Sequence, residues 1–148
     1  MKNKLTIGPL SPQRLSEAAE IERLCFSSPW SAGQLAESIS LPGSHFLEAV
    51  LDGRLAGYIG FYRVLDEGFV TNLAVRPDLR RKGVGRALLR RLISDCADLG
   101  VRAVSLEVRE SNAPALALYL SEGFTVDGRR PRFYSRPTED ALLLSRGL

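Results

Sequence analysis

The chain has 148 residues, enough for one domain with a real core, and its 45% hydrophobic and 25% charged side chains are the balance of an ordinary globular protein. Its 20 basic and 17 acidic residues leave a formal charge of +3, too small an excess to indicate a nucleic-acid partner but suited to a ligand carrying several phosphates. No apolar run is long enough to span a membrane, no apolar segment follows the basic residues near Met1 as a secretion signal requires, and Cys25 and Cys96 match no metal spacing, so the expectation is a cytoplasmic protein with reduced core thiols and no metal.

Residues 5–7 read as a short strand. Ser11 and Pro12 open a helix, proline being tolerated in the first turn, and Leu15, Ala18, Ile21, Leu24 and Cys25 supply its apolar stripe. Ser31 is the expected N-cap of a second helix ending near Ser40, which Pro42 and Gly43 break. Strands follow over residues 45–51, 55–64 and 69–75, with turns at Asp52 and Gly53 and again at Asp66, Glu67 and Gly68. The pattern then changes to a long helix over 83–99, with Val84, Leu88, Leu92 and Cys96 four apart, stopped by Gly100. A strand over 101–109, a helix over 112–122 closed by Gly123, a strand beginning at 124–126 and a last strand over 141–144 complete the chain. A meander followed by β-α-β-α-β predicts a mixed α/β fold, one central sheet with an antiparallel N-terminal part and parallel pairing near its middle, flanked by helices. No linker divides it, so residues 1–148 are read as one domain.

Arg80, Arg81, Lys82, Gly83, Val84, Gly85 and Arg86 lie between the third meander strand and the long helix. The first N–H groups of a helix lack internal partners, and the helix dipole adds partial positive charge at the same end. Basic residues oppose that dipole, so a cluster of them at a glycine-containing helix start points to a bound anion. Neither the nucleotide P-loop nor the dinucleotide glycine fingerprint is present. The plain alternative is a solvated basic first turn.

This segment resembles the Q/R-x-x-G-x-G/A signature of the GNAT superfamily of N-acetyltransferases, with Arg80, Gly83 and Gly85 in place. A longer stretch, from Leu106, Glu107, Val108 and Arg109 through Ser111, Asn112, Ala115, Leu118 and Tyr119 to Gly123 and Phe124, resembles the LEVR-x-SN-x-x-A-x-x-LY-x-x-x-GF block of protein N-terminal acetyltransferases. Asn72, Leu73, Ala74 and Val75 are similar to the strand that precedes the cradle in that family. Ser28, Pro29, Trp30 and Ser31 are similar to a segment near the start of the bacterial ribosomal-protein alanine acetyltransferases, the RimI group.

The resemblance implies a GNAT fold with splayed strands at mid-sheet and acetyl-CoA as co-substrate. It places Leu73, Ala74 and Val75 beside the pantetheine arm, residues 81–86 around the pyrophosphate, and Asn112 against the cofactor. It makes Glu107 the general base and Tyr119 the general acid. The implied acceptor is a protein N-terminus, the N-terminal alanine of small-subunit ribosomal protein eighteen. The expected working form is a monomer or weak dimer, with neither nucleic acid nor membrane as partner.

Side-chain alternation supports part of this independently. Val104, Leu106 and Val108 share one face of their strand, and Ser105, Glu107 and Arg109 the other. A carboxylate near the C-terminal end of such a strand faces either a salt bridge or a cleft, and ligands of open α/β sheets bind at those ends. Tyr119 lies two helical turns from Asn112, on roughly the same side; it is a core ring whose hydroxyl needs a partner. On the acceptor side the candidates are Trp30, Arg109, Phe133 and Tyr134. The segment 129–134 resembles the RR-x-YY stretch of the RimI group but carries an extra residue, with phenylalanine at one position, and reads equally as a solvated basic loop. His45 starts a strand and is given no catalytic role. Two other functions stay open: acetylation of a lysine side chain or small-molecule amine, and an acyl-CoA-binding partner protein without turnover.

Overall fold

The turn residues fold the first half of the chain into a meander. Asp52 and Gly53 both adopt the left-handed conformation (φ 53° and 79°) that a two-residue hairpin needs, and they join β2 (Ser44–Leu51) to β3 (Arg54–Val64). β1 (Leu5–Pro9) pairs with β2, and β4 (Glu67–Val75) with β3, all antiparallel. The structure is a computed structural model that describes residues 4–148, and the signal-segment reading at residues 1–3 lies outside the described residues.

The second half extends the same sheet. β5 (Ala103–Arg109) joins β4 in parallel over four pairs, from Glu67↔Ala103 to Val70↔Leu106. β7 (Glu139–Gly147) runs antiparallel between β5 and β6 (Thr125–Tyr134), giving the order β1-β2-β3-β4-β5-β7-β6. Among the described residues parallel pairing is therefore confined to β4 and β5. β6 continues to Tyr134, so residues 129–134 are strand and not loop, and β7 is longer than residues 141–144. The reason is visible in β6: it is the edge strand and is exposed along most of its length, so it has no apolar alternation from which to read its extent.

Helices cover both faces. On one, α1 (Leu15–Cys25) and α2 (Ala32–Ile39) pack Ala18, Ile21 and Leu35 against Phe46, Leu55 and Tyr58. On the other, α3 (Val84–Asp98) and α4 (Ala113–Ser121) pack Leu88, Leu92 and Tyr119 against Ile59, Val104 and Leu106. Residues 55–61 of β3 are buried throughout, as expected of a strand covered on both sides.

α1 departs from its expected stripe. Leu24 is 55% exposed and Cys25 only half-buried, whereas Glu22 is 1% exposed. Residues 15, 18, 22 and 25 follow a 3-4-3 spacing, and the helix turns that side inward because Glu22 finds three hydrogen-bond donors there. Cys96 is the core thiol; Cys25 instead donates to the Val75 carbonyl at 3.4 Å and receives Arg80 Nη2 at 3.3 Å.

Ser31 caps α2 in a full capping box: its hydroxyl accepts from Gln34 N at 3.1 Å while Gln34 Oε1 accepts from Ser31 N at 2.9 Å. The box fixes the chain directly after Trp30. Ser31→Ala is expected to destabilise the fold by about 1 kcal/mol, read as a lower urea midpoint with an unchanged slope.

Candidate active site

The site begins where β4 and β5 part. Beyond Val70↔Leu106, β4 continues to Val75 paired only with β3, and β5 continues to Arg109 paired only with β7. The register across β3 and β4 passes from Phe61↔Val70 to Gly60↔Asn72, which leaves Thr71 as an extra residue. Such a bulge bends its strand, and this one sits at the point of separation. The backbone groups of residues 71–75 that face away from β3 therefore lack a strand partner. Leu73 and Val75 lean towards the α3/α4 face, and Ala74 packs under α1.

The basic segment closes the end of this opening. Gly83 is the N-cap of α3 in left-handed conformation (φ 79°), Arg81 is also left-handed (φ 66°), and no side chain among the described residues caps the helix. The first N–H groups of α3 are thus left open to an anion. Gly83 is needed for its backbone conformation, since a Cβ there would meet nothing. At Gly85 a Cβ would make ordinary van der Waals contact with Leu118 Cδ2 at 3.4 Å and Val75 Cγ2 at 3.7 Å, so packing alone does not demand a glycine there. Val84 is buried.

The four basic side chains divide into two kinds. Arg80 folds back, with Nε donating to the Val75 carbonyl at 3.3 Å. Arg86 is bound to Glu122 and donates to Ser121 Oγ at 3.0 Å, and Arg90 completes the cluster on Glu122 at 3.0 Å. Arg81 and Lys82 are exposed and make no hydrogen bond or ion pair among the described residues. Asn112 is the N-cap of α4, its Oδ1 accepting from Ala115 N at 3.3 Å; this capping role was not expected from the sequence.

Across the opening, the alternation read in β5 holds: Val104, Leu106 and Val108 are buried on the α3/α4 face. Arg109 Nη2 reaches Ser27 Oγ at 3.3 Å in the α1–α2 connection, so Arg109, and Glu107 two residues before it, face the α1/α2 side. Glu107 is about one-third exposed, at 33%, and its Oε2 lies 3.3 Å from Arg130 Nη2. Arg109 binds the Ser135 and Pro137 carbonyls at 2.8 and 3.1 Å and Glu139 at 3.2 Å, and its guanidinium sits 4.5 Å above the Tyr134 ring. Both terminal nitrogens are engaged, so Arg109 clamps the β6–β7 turn to the α1–α2 connection and has little capacity left for an acceptor. Phe133 packs edge-on against Tyr134 at 5.0 Å under the Arg130 guanidinium. Burial, and then the Glu107 charge, push the Tyr134 hydroxyl above the ordinary phenol value.

Tyr119 approaches from the opposite face. Its ring is 5% exposed and meets Phe124 edge-on at 5.6 Å. The hydroxyl makes no hydrogen bond among the described residues. Burial, with a smaller contribution from Tyr134, pushes its pKa above the ordinary phenol value, so it keeps its proton through the neutral range. Trp30, half-buried, lines a cavity of about 230 Å³ with Leu41, Phe46, Tyr62 and Thr71.

Two residues of this region, Glu22 and Tyr58, escaped the sequence reading. Glu22 accepts from the Tyr58 hydroxyl, from Asn72 Nδ2 at 3.1 Å and from the Trp30 backbone N–H at 2.9 Å. The available signal was the helical spacing that places Glu22 among the inward-facing positions of α1.

An open parallel pair thus ends at a helix start that no side chain among the described residues caps. The profile of the Acetyltransferase (GNAT) family matches residues 15–124, and the chain belongs to that family. It is 39% identical over 146 residues to the ribosomal protein bS18-alanine N-acetyltransferase of Escherichia coli strain K12, covering 95% of each chain. It is 37% identical to the N-alpha-acetyltransferase RimI of Mycobacterium tuberculosis, covering 96% of this chain and 92% of that one. The crystal structure of the Escherichia coli ribosomal-protein-S18-alanine N-acetyltransferase superposes with a TM-score of 0.90 over 97% of this chain and 94% of that one. The protein is thus an acetyltransferase of a family that uses acetyl-CoA.

Proposed function

We propose that this enzyme transfers the acetyl group of acetyl-CoA to a protein N-terminus, the N-terminal alanine of ribosomal protein bS18, with Glu107 as base and Tyr119 as acid. The observation that carries this reading is the opening between residues 71–75 and 107–109, with Glu107 on one face of the sheet and the Tyr119 ring on the other. The relatives over nearly the full length carry that activity in their names, which favours a protein N-terminus over lysine or a small amine.

The chain's own groups fit an acyl-CoA. The uncapped first turn of α3 with Arg81 and Lys82 would hold the pyrophosphate, and the unpaired edge of β4 would take the pantetheine amides. Acetyl-CoA supplies an acyl group already activated as a thioester. An α-ammonium has a pKa near ~8, so the acceptor must lose a proton before it attacks. Glu107 Oε1, which has no partner among the described residues, receives that proton, directly or through one water. A free backbone N–H of β4 stabilises the negative oxygen developing on the acyl carbonyl. Tyr119 Oη gives its proton to the departing sulfur, and the second proton shed by the acceptor nitrogen as the amide forms restores the phenol. Neither Cys25 nor Cys96 forms an acyl-enzyme, and the chain works in the cytoplasm.

The two kinds of cradle cation give a test. The pair Arg81→Ala and Lys82→Ala together should raise KM for acetyl-CoA by about ten-fold or more, as expected for charge-assisted phosphate contacts, with a shallower salt dependence. Arg86→Ala should instead lower the melting temperature, because it strips a partner from the nearly buried Glu122, with a smaller change in KM. A KM loss confined to Arg86→Ala would reassign the cradle.

A further inference from the structure

Two charged side chains are buried among the described residues, Glu22 and Arg76; Arg76 is paired with Glu20 at 3.0 Å, and Glu22 is the one without an ionic partner. Glu22 is 1% exposed, and its partners are three neutral donors: the Tyr58 hydroxyl, the Asn72 amide and the Trp30 backbone N–H. Among the described residues no cation lies within ion-pair distance of it. A buried carboxylate without a cation is costly unless something balances it. Tyr58 is itself fully buried, and burial with the Glu22 charge pushes its hydroxyl far above the ordinary phenol value, so it serves as donor.

This arrangement fixes how Asn72 points. Its Nδ2 faces Glu22 Oε2 at 3.1 Å, and a flipped amide would set oxygen against carboxylate. Oδ1 is thereby turned away from Glu22. It is buried and accepts no hydrogen bond, the one such orphaned side-chain atom among the described residues. A buried acceptor left unpaired is rare and calls for a partner. Asn72 lies immediately after the Thr71 bulge, on the first stretch of β4 that has lost β5, and on the α1/α2 face to which Glu107 also belongs.

We propose that Asn72, held and polarised by Glu22, is the binding group for the acceptor's amine: Asn72 Oδ1 accepts an N–H of the incoming ammonium, and the buried Glu22 charge behind it favours that cation. Glu22 is a positioning residue: it holds the Asn72 amide and ties the Trp30 connection to the same strand. The inference rests on the reading of the enzyme as an amine acetyltransferase and deepens it by naming what recognises the amine.

The test compares two peptides in the presence of CoA: one with a free N-terminal alanine, and one in which a propionyl group replaces that alanine, identical save for the amine. Wild type should bind the amine peptide about ten-fold or more tightly, the scale of a hydrogen bond to a charged group. Asn72→Ala should bind both peptides alike while acetyl-CoA affinity stays within about two-fold. Asn72→Leu, close in shape and without an acceptor, is read in the same way should the alanine variant fold poorly. Tyr58→Phe, which disturbs the network but leaves the amide, should keep the preference. A preference retained in both Asn72 variants, an equal loss for both peptides, or no preference in wild type overturns the proposal. Wild type that ignores the alanine peptide but acetylates lysine or a polyamine overturns the N-terminal reading instead, and Asn72 is then measured on that amine against its deaminated analogue. Failure on every amine overturns both.

Discussion

Glu107→Gln is expected to lose turnover by about a hundred- to ten-thousand-fold, the range of a single general base, while binding acetyl-CoA as wild type does. Glutamine keeps the shape of the side chain and still offers an oxygen to Arg130, so the β5–β6 contact survives. What it lacks is the basic carboxylate that receives the acceptor's proton. The competing reading is a salt bridge between Glu107 and Arg130, which are 33% and 54% exposed; an exposed pair contributes about 0–1 kcal/mol. On that reading Glu107→Gln and Arg130→Ala would share a mild phenotype. On the catalytic reading they diverge, and only the Glu107 variant loses kcat. Stopped-time assays at saturating acetyl-CoA separate the two, and wild-type-like turnover in Glu107→Gln would remove it from the mechanism.

Tyr119→Phe is expected to lower kcat by about a hundred-fold, the low end of acid catalysis, because a thiol pKa near ~8.5 already makes the CoA sulfur a competent leaving group. The fold should hardly notice. The ring keeps its edge-on contact with Phe124, and the hydroxyl gives up no hydrogen bond among the described residues. The pH dependence adds a second reading. Burial raises the Tyr119 pKa above the phenol value of ~10, so the neutral, proton-bearing form persists from about pH 6 to pH 9. Neither limb of the rate profile in that range belongs to Tyr119, and the variant should run parallel to wild type at a lower rate. A variant that loses an alkaline limb would place the titration of Tyr119 inside the range and contradict the effect assigned to burial.

The elements were legible where local chemistry dictates them. Asp52 and Gly53 announce a hairpin, Ser31 with Gln34 announces a helix start, and the alternation in β5 assigns Glu107 its face. The site was legible as far as its composition: the basic cradle before α3, and the carboxylate near the end of a strand. What stayed hidden depends on pairing across the sheet. Nothing local to Thr71 marks it as a bulge; its effect appears only when Phe61 meets Val70 and Gly60 meets Asn72. The length of β6 is set by β7 and not by its own exposed residues. The cradle cations look equivalent in the sequence, yet Arg86 is held in an ion pair by Glu122, thirty-six positions later. Glu22 was obscured because a charged residue in an apolar stripe is ordinarily an outward one. Its burial makes sense only with Tyr58 of β3 and Asn72 of β4 beside it. The roles of Glu107 and Tyr119 came from family resemblance, and the variants above are what tests them.

The most direct measurement is mass spectrometry of small-subunit ribosomal proteins incubated with this enzyme and acetyl-CoA. One acetyl group on the α-amine of the N-terminal alanine of bS18, absent when Glu107→Gln replaces wild type, is the predicted result. An unmodified bS18 N-terminus in a reaction that acetylates lysine side chains would contradict it.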